Sequence, residues 1–455
     1  MTSNTDPEAR PPWTEHILVK VVIIGVIVMV LMIPSLMILN LVQERSQRKA
    51  EVTQEVSSKW GQLQTIAGPY VSIPYYEEIK KTGKESEWTE HTLYFFPKTL
   101  NIEGSLDPII RKRSIFKVML YESELKMNGH FDSPNLEALQ IPAQNVIWGK
   151  ATIHLGITDL LGIGSEVNIK TGDTLLHMTA SEPVAIGFPS GLISRLPEKL
   201  SNSTGFDFEI ALSLKGSQGI YITPVASNTN VSITSSWPSP KFEGQFLPDT
   251  STIDKTGFTA KWSILDINRQ IAQQWTDATP QKLSAVVSNP YDRSYGPSGA
   301  NGTASVLGVE LLDTVDHYTK AERTVKYAFL LITLTFVVYF FCEILKKQKV
   351  HALQYGLVGA ALVIFFILLL SLSEHIGFDP AYFVSSFATI LLITLYSRSI
   401  FSQKRFAWIT GGLLTLQFVF IYIILQLEDF ALLAGSIALF AIIALIMYLT
   451  RKVTW

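Results

Sequence analysis

The side chains of this sequence that could do chemistry are charged and histidine residues at the ends of apolar stretches. Carboxylates and imidazoles at such positions can pair with cations, move protons or bind a metal ion. They are Asp316, His317, Glu322, Arg323 and Lys326, then Glu374, His375 and Asp379, then Glu428 and Asp429. Because charges near lipid need partners, we expect the acids and bases to pair, Glu374 with Arg323 among them, and to fix a soluble domain on membrane helices.

A second interpretation of this cluster is a place where a proton or cation enters the membrane, with Glu374 and His375 as carriers. It is disfavoured because a proton path needs relays across the bilayer, and the apolar stretches hold almost no ionisable group besides Glu343 near one end. A metal site would require His317 to meet His375, and an interfacial histidine is far more often a hydrogen-bonding residue. We predict no metal and no cofactor.

Two short motifs resemble those of the penicillin-binding enzymes. Ser114-Ile115-Phe116-Lys117 fits S-x-x-K, and Lys170-Thr171-Gly172 fits K-T-G. The nucleophile of that class opens a helix, whereas Ser114 begins an apparent strand, and about one S-x-x-K is expected by chance in a chain of this length. The sequence contains no G-x-S-x-G, H-E-x-x-H or Walker pattern. We therefore predict a protein that is not an enzyme.

The elements that position these residues are apolar stretches long enough to cross a bilayer. Hydrophobic residues make up 47 % of the 455 residues and charged residues 17 %, against about 25 % charged in soluble domains. Six stretches approach the roughly 20 apolar residues that a membrane helix needs, at 17–41, 327–345, 352–372, 381–396, 406–425 and 430–449. The first is too long for a signal peptide and has no cleavage pattern, so it is interpreted as an uncleaved signal anchor.

Lysine and arginine in the short connections predict the direction of these helices, because positive residues concentrate on the cytoplasmic side. They are Lys346, Lys347 and Lys349, then Arg398, Lys404 and Arg405, then Arg451 and Lys452. The connections 373–380 and 426–429 contain neither residue type. This distribution predicts a polytopic membrane protein with cytoplasmic tails at 1–16 and 450–455, an exported segment at 42–326 and a five-helix membrane bundle at 327–449.

The segment between the first two apolar stretches is typical of a soluble β-rich domain. Runs such as 70–75, 116–121 and 208–214 combine β-branched or aromatic residues with turn residues on either side. The polar stretch 42–59 is compatible with a helical stalk that continues the first membrane helix. The predicted fold class is a membrane α-helical bundle of about six helices plus a large periplasmic all-β or β-rich domain, a sandwich or a meander. The net charge of −2 gives no sign of a nucleic-acid partner.

Small residues in the third apolar stretch indicate close helix packing. Gly356, Gly359, Ala360 and Ala361 cluster there, and small side chains let membrane helices approach each other. Packing within one chain is the default. The alternative is a face that joins two copies in a homo-oligomer.

Several longer motifs resemble the CreD family of inner-membrane proteins. They are Ser235-Ser236-Trp237-Pro238-Ser239-Pro240, Gly257-Phe258-Thr259-Ala260-Lys261-Trp262, Val315-Asp316-His317-Tyr318, Ser371-Leu372-Ser373-Glu374-His375 and Leu425-Gln426-Leu427-Glu428-Asp429. The resemblance extends over nearly the whole chain. One departure is Leu161, where the family pattern leads us to expect an arginine before Gly162.

This resemblance implies a role in cell-envelope integrity and envelope stress, an altered tolerance of colicins, and no enzymatic reaction. The expected partners are the lipid bilayer and, as candidates, periplasmic or inner-membrane envelope proteins. The alternative is a permease-like transporter of a small molecule or ion, with the exported domain as a gate. Broken helices or polar residues at mid-depth would favour transport, and neither is evident in the sequence.

Overall fold

The computed structural model describes residues 17–79, 87–181, 190–269, 271–277, 305–311, 317–346, 350–400 and 404–427, with isolated positions between 433 and 447. The chain divides into two compact units. The helical unit contains Met1–Lys49 and Val315–Trp455, and the sandwich unit contains Ala50–Thr314. This division follows the change in composition between the apolar ends of the sequence and its polar middle.

Long apolar helices build the helical unit. They are α1 (Ile17–Ser57), α3 (His317–Lys326), α4 (Ala328–Lys346), α5 (Ala352–Ile376), α6 (Phe378–Ile400) and α7 (Lys404–Gln426), while the single-turn α2 (Glu198–Ser201) belongs to the sandwich unit. By length and composition α1, α5, α6 and α7 can each cross a membrane, and α3 with α4 makes a fifth candidate if their 44° bend lies within one span. The described residues thus support four or five spans where the sequence predicts six. The sixth predicted stretch, 430–449, lies largely outside the described residues.

The link between α5 and α6 is much shorter than the sequence predicts. The predicted connection at 373–380 is mostly helical, because α5 continues to Ile376 and α6 begins at Phe378. Gly377 alone joins them, with a φ of +83° that glycine adopts without strain. Pro380 lies in the first turn of α6, where its missing N–H costs no helical hydrogen bond.

The helix α6 is longer than the predicted stretch 381–396 although it contains several serines and threonines. Thr389, Thr394 and Ser397 each donate a hydroxyl hydrogen bond to the carbonyl four residues earlier, at 2.9, 2.6 and 2.6 Å. These hydroxyls are satisfied within their own helix, which allows the helix to lie in an apolar environment.

Two β-sheets form the sandwich unit. Among the described residues the first sheet has nine strands: β1 (Gln64–Ile79), β2 (Glu87–Phe95), β5 (Thr152–Ile157), β8 (Thr179–Ser181), β9 (Gly191–Arg195), β11 (Gly219–Thr223), β13 (Pro240–Gly244), β16 (Gln274–Thr276) and β17 (Leu307–Leu311). The second has eight: β3 (Thr99–Arg113), β4 (Phe116–Asp132), β6 (Asn168–Thr171), β7 (Thr174–His177), β10 (Gly205–Ser217), β12 (Asn228–Ser235), β14 (Thr250–Asp254) and β15 (Gly257–Leu265).

Strand order in both sheets mixes local hairpins with distant pairs. The first sheet runs β13-β17-β11-β1-β5-β9-β8, with β2 paired to β1 and β16 to β2, and the second runs β14-β15-β12-β3-β4-β10-β6-β7. Most pairs are antiparallel, and β1–β11 and β3–β12 are parallel. The long hairpin β3–β4 reverses at Ser114, which has a φ of +57°. Ser114 therefore lies in a turn, where the sequence predicts the start of a strand.

The two sheets pack face to face around one apolar core, which makes the β-rich unit a sandwich. Phe95 of the first sheet meets Phe131 of the second edge to face, with ring centroids 5.8 Å apart. Phe242 and Trp262 make a similar contact at 5.9 Å. Burying each large apolar side chain contributes about 1.5–3 kcal/mol. Since the only cysteine, Cys342, lies in α4, this core holds the unit together without a disulfide.

The last turns of α1, from Ala50 onward, belong to the sandwich unit. Glu55 pairs with Arg113 of β3 at 3.0 Å. Just after the helix, the Trp60 ring lies 4.6 Å from both the Arg111 guanidinium and the Lys215 ammonium. Such contacts of a cation with a ring are worth about 0.5–1 kcal/mol each at exposed sites.

Candidate functional site

Glu374, near the end of α5, brings three helices together. Its side chain is 11 % exposed and its Oε1 lies 3.9 Å from Nε of Arg45 in α1. The same Oε1 accepts a hydrogen bond from the Tyr318 hydroxyl of α3 at 3.1 Å. The structure therefore pairs Glu374 with Arg45, where the sequence led us to expect Arg323.

The two predicted cations of α3, Arg323 and Lys326, differ in their contacts. Lys326 pairs with Glu322, one turn earlier, at 2.9 Å. In the part of the chain that the structure describes, no carboxylate lies within ion-pair distance of Arg323. The other predicted members of the cluster, Asp316, Glu428 and Asp429, lie outside the described residues.

Asp379 connects α6 to α7. Its Oδ1 accepts hydrogen bonds from the Tyr422 hydroxyl at 3.2 Å and from Nε2 of Gln426 at 3.1 Å. Nζ of Lys320 in α3 lies 3.5 Å from Oε1 of Gln426. These polar partners escaped the sequence analysis because they are isolated residues on otherwise apolar helices or on a short polar one, with no motif to mark them.

The two predicted histidines belong to different local environments. His375 is exposed, and its Nδ1 lies 3.0 Å from the Ser371 carbonyl oxygen of the same helix. The ring of His317 lies 4.2 Å from that of its neighbour Tyr318. Over the described ranges, no three His, Cys, Asp or Glu side chains are placed to hold a metal ion. Glu374, adjacent to the exposed His375, is instead turned toward α1 and α3.

A second charged cluster, which the sequence analysis missed, joins the start of α1 to the end of α4. Lys20 forms an ion pair with Glu343, whose side chain is only 6 % exposed. Glu343 also accepts hydrogen bonds from the Val350 N–H at 3.2 Å and the Tyr355 hydroxyl at 3.1 Å. The available signal was a lone lysine near the start of one apolar stretch and a lone glutamate near the end of another.

Buried polar side chains also join helices between these two clusters. Gln417 of α7 donates to the Leu331 carbonyl of α4 at 2.8 Å and accepts from the Thr335 hydroxyl at 3.3 Å. The hydroxyls of Tyr339 in α4 and Ser397 in α6 are hydrogen-bonded to each other. These helices therefore contain buried polar residues that the sequence analysis did not single out, and a 44° bend that it did not predict separates α3 from α4.

In the sandwich unit, the two penicillin-binding motifs are far apart. Ser114 lies at the tip of the β3–β4 hairpin, next to Phe116. Lys170 of β6 is opposite Glu209, which is opposite Asn128 of β4. The 12 residues of β4 from Phe116 to Asn128 span about 40 Å, so the two motifs do not form one site.

His154 is a half-buried histidine of the sandwich. Its Nε2 lies 2.7 Å from the Ser72 hydroxyl and 2.9 Å from the Thr152 hydroxyl, and its ring stacks on Tyr70 at 4.7 Å. Burial lowers the pKa of His154 to about 4, so its imidazole is neutral at physiological pH. Ser72 is 7 % exposed and lies inside strand β1, which closes this serine and histidine to a substrate.

Comparison with known proteins assigns the chain to one group. A family model described as inner membrane protein CreD matches residues 16–455. The chain is also similar to the protein named inner membrane protein CreD of Escherichia coli (strain K12), with 28 % identity over 437 residues, which cover 94 % of this chain and 91 % of that protein.

Proposed function

Because this chain belongs to the CreD family of inner membrane proteins, we propose that it is a non-catalytic protein that supports the integrity of the bacterial cell envelope. The helical unit is the base in the inner membrane, and both chain termini are cytoplasmic. The sandwich unit is exported to the periplasm, where it engages envelope proteins.

The observation that carries this proposal is the spacing of the two charged clusters along α1. Lys20 pairs with Glu343, and Arg45 pairs with Glu374. Lys20 and Arg45 are 25 positions apart in the sequence, which corresponds to about 38 Å of helix. A bilayer has a hydrocarbon core of about 30 Å and a total thickness of about 40–45 Å. A membrane between the clusters would leave both ion pairs in the interfacial regions, where charges are tolerated.

The direction of the helices is inferred from the basic residues. Lys346 ends α4, Arg398 lies in the last turn of α6, and Lys404 and Arg405 are the first two residues of α7. These ends belong with the Glu343 cluster, since Glu343 lies one turn before Lys346 in α4. The positive-inside rule therefore favours a cytoplasmic Glu343 cluster and a periplasmic Glu374 cluster.

Labelling of single cysteines by a membrane-impermeant maleimide tests this arrangement. In a Cys342→Ser background, Ile267→Cys provides a probe on the sandwich unit, where Ile267 is 86 % exposed. Thr2→Cys provides the matched probe at the N-terminus. We expect Ile267→Cys to be labelled in intact spheroplasts and Thr2→Cys only after lysis. The reverse pattern would contradict the exported sandwich.

The envelope role needs a separate test. Cells that lack the chain should show increased uptake of a dye that an intact envelope excludes, and the wild-type gene should restore exclusion. Photo-crosslinking from position Ile267 in the same cells should capture periplasmic or inner-membrane proteins. Unchanged dye exclusion together with no crosslinked envelope protein would refute this role.

Transport is the second candidate function, and the buried polar residues of α4, α6 and α7 favour it. Gln417, Thr335 and Tyr339 are buried between the helices and provide uncharged hydrogen-bonding groups there. The 44° bend between α3 and α4 also favours transport, because interrupted helices line the substrate sites of transporters. Proton flux into proteoliposomes that is lost on Gln417→Leu would support transport. If the wild type and Gln417→Leu both show only background flux, the role of these residues is to form hydrogen bonds between helices.

A further inference from the structure

A row of hydrogen-bonded side chains crosses the solvent face of the second sheet. The Ser263 hydroxyl donates to Oδ1 of Asn230 at 2.9 Å, Nδ2 of Asn230 donates to Oδ1 of Asn101 at 3.0 Å, and Nδ2 of Asn101 donates to Oδ1 of Asn128 at 3.1 Å. Strand register places the four residues directly opposite one another on β15, β12, β3 and β4. We call these four residues the amide row.

Every hydrogen bond in the amide row points the same way, so the row is an ordered set of dipoles. A side-chain amide offers two N–H donors and an oxygen with two lone pairs. Asn101 uses one N–H donor and one oxygen lone pair within the row. Its second N–H and its second lone pair remain for a ligand. Asn128, Asn230 and Ser263 are exposed to solvent. The row therefore presents aligned groups that both donate and accept hydrogen bonds.

One end of the amide row opens into a cleft of about 550 Å³. Beyond Asn101 and Asn128, its polar lining includes His130, Asp207, Glu209 and Lys170. It is a shallow depression that is open to solvent along the sheet face, which suits an extended ligand lying across the strands. Nδ1 of His130 lies 2.7 Å from Oδ1 of Asp207.

The charge of the cleft restricts what it can bind. Three lysines, Lys170, Lys126 and Lys261, balance three carboxylates, Asp207, Glu209 and Glu103, in the cleft and on the strand positions that flank the row. With both signs interspersed and no net charge from these side chains, the surface does not favour a polyanion or a polycation. The complementary ligand is a neutral polymer rich in groups that both donate and accept hydrogen bonds.

We propose that the amide row and its cleft bind an extended polysaccharide of N-acetylated hexosamine units. Sugar hydroxyls match the remaining donors and acceptors of the asparagines, and an acetamido group is itself an amide that can continue the row. Neighbouring strands lie about 4.7–4.9 Å apart, close to the length of one β-linked sugar in an extended chain, so successive sugars meet successive strands. The biological setting rests on the proposed export of the sandwich, because such glycans lie outside the inner membrane.

Binding is testable on the purified full-length chain in phospholipid nanodiscs, since detergents with sugar headgroups would compete. The probe is the hexamer of N-acetylglucosamine, followed by saturation-transfer NMR and titration calorimetry. Cellohexaose, which has a similar backbone without acetamido groups, is the control ligand. We expect the N-acetylated hexamer to bind and cellohexaose to bind at least threefold more weakly.

Two variants separate recognition from stability. Asn128→Ala, at the exposed end of the row, should weaken binding roughly three- to tenfold, the effect of one lost hydrogen bond. Ser232→Ala is the matched control, since Ser232 lies on β12 two residues from Asn230 and outside the row. It should bind as the wild type does. Both variants should unfold within about 2 °C of the wild type, because exposed hydrogen bonds contribute little to stability.

Three results would overturn the proposal. They are the absence of saturation transfer to the wild-type protein, equal binding of both hexamers, and an Asn128→Ala affinity equal to that of the wild type. The test is independent of the labelling experiment on Ile267→Cys. Labelling from the cytoplasmic side with intact glycan binding would refute the proposed location and leave the binding site in place.

Discussion

Replacing Glu343 by leucine is expected to destabilise the helical unit by about 4 kcal/mol. The substitution leaves Lys20 without the carboxylate it pairs with, and removing one partner of a buried ion pair costs about 3–5 kcal/mol. The Lys20 side chain is 25 % exposed, so its ammonium can reach water along its flexible stem, which favours the lower end of that range. The N–H of Val350 and the hydroxyl of Tyr355 also lose their acceptor, which adds about 1 kcal/mol or more.

Thermal unfolding of the purified protein, followed by the loss of helical circular dichroism, measures this effect. For a unit of roughly 190 residues, each 1 kcal/mol shifts the unfolding midpoint by about 2–4 °C. Glu343→Leu should therefore lower the midpoint by about 8–16 °C. The double variant Lys20→Met with Glu343→Leu should recover most of the loss, because an apolar pair of similar size replaces both charges. A single variant within 2 °C of the wild type, or a double variant less stable than the single one, would refute the reasoning.

Three further predictions concern other contacts. Gly359→Leu should separate α1 from α5 and destabilise the helical unit by at least about 1–3 kcal/mol, because a Cβ at Gly359 would lie 2.1 Å from the Leu31 side chain of α1. The rate of proteolysis of the extracted protein measures this loss of stability. Arg45→Glu should lower the amount of protein in the membrane more than Arg323→Glu does. Adding Glu374→Arg to Arg45→Glu should partly restore the amount, because the pair is then present in reverse. Equal losses for Arg45→Glu and Arg323→Glu would contradict the observed pairing. Burial holds the pKa of His154 at about 4, below its ordinary value of about 6.5. The unfolded chain therefore binds the proton more readily than the folded chain does. As the pH falls from 6.5 to 4, the free energy of unfolding of the sandwich should decrease by up to about 3 kcal/mol. Urea midpoints at pH 7 and 4.5 should show that His154→Gln reduces this loss and that the exposed His177→Gln does not.

Sequence reasoning identified the membrane helices better than their contacts. A long uninterrupted run of apolar residues predicts a membrane-spanning helix regardless of which helices pack against it. The helices α1, α5, α6 and α7 were expected for this reason. The pair of Lys20 with Glu343 joins residues 323 positions apart, and no local pattern encodes that meeting. The choice of Arg45 over Arg323 for Glu374 has the same origin, because it depends on which helix passes beside α5.

The sandwich shows a similar division between local and distant structure. The alternation of buried and exposed residues along β3, β4 and β10 reflects one face against the core, and this period of two is visible in the sequence. The parallel pairing of β3 with β12 brings Asn101 beside Asn230, and a distant parallel pair leaves no turn signal to predict it. The amide row could therefore not be predicted from the sequence, because it depends on the order of the strands in the sheet.

The single-residue link at Gly377 bears on how the protein is made. We expect two helices joined so tightly to be inserted into the bilayer together, as a hairpin. In the proposed topology Glu374 and Asp379, on either side of the turn, would be carried through the hydrocarbon together, at about 2.5–3.5 kcal/mol for each charged side chain at the centre. The apolar length of the two arms provides the driving force for this passage. An additional charge beside the turn should therefore impair biogenesis before it affects the folded state.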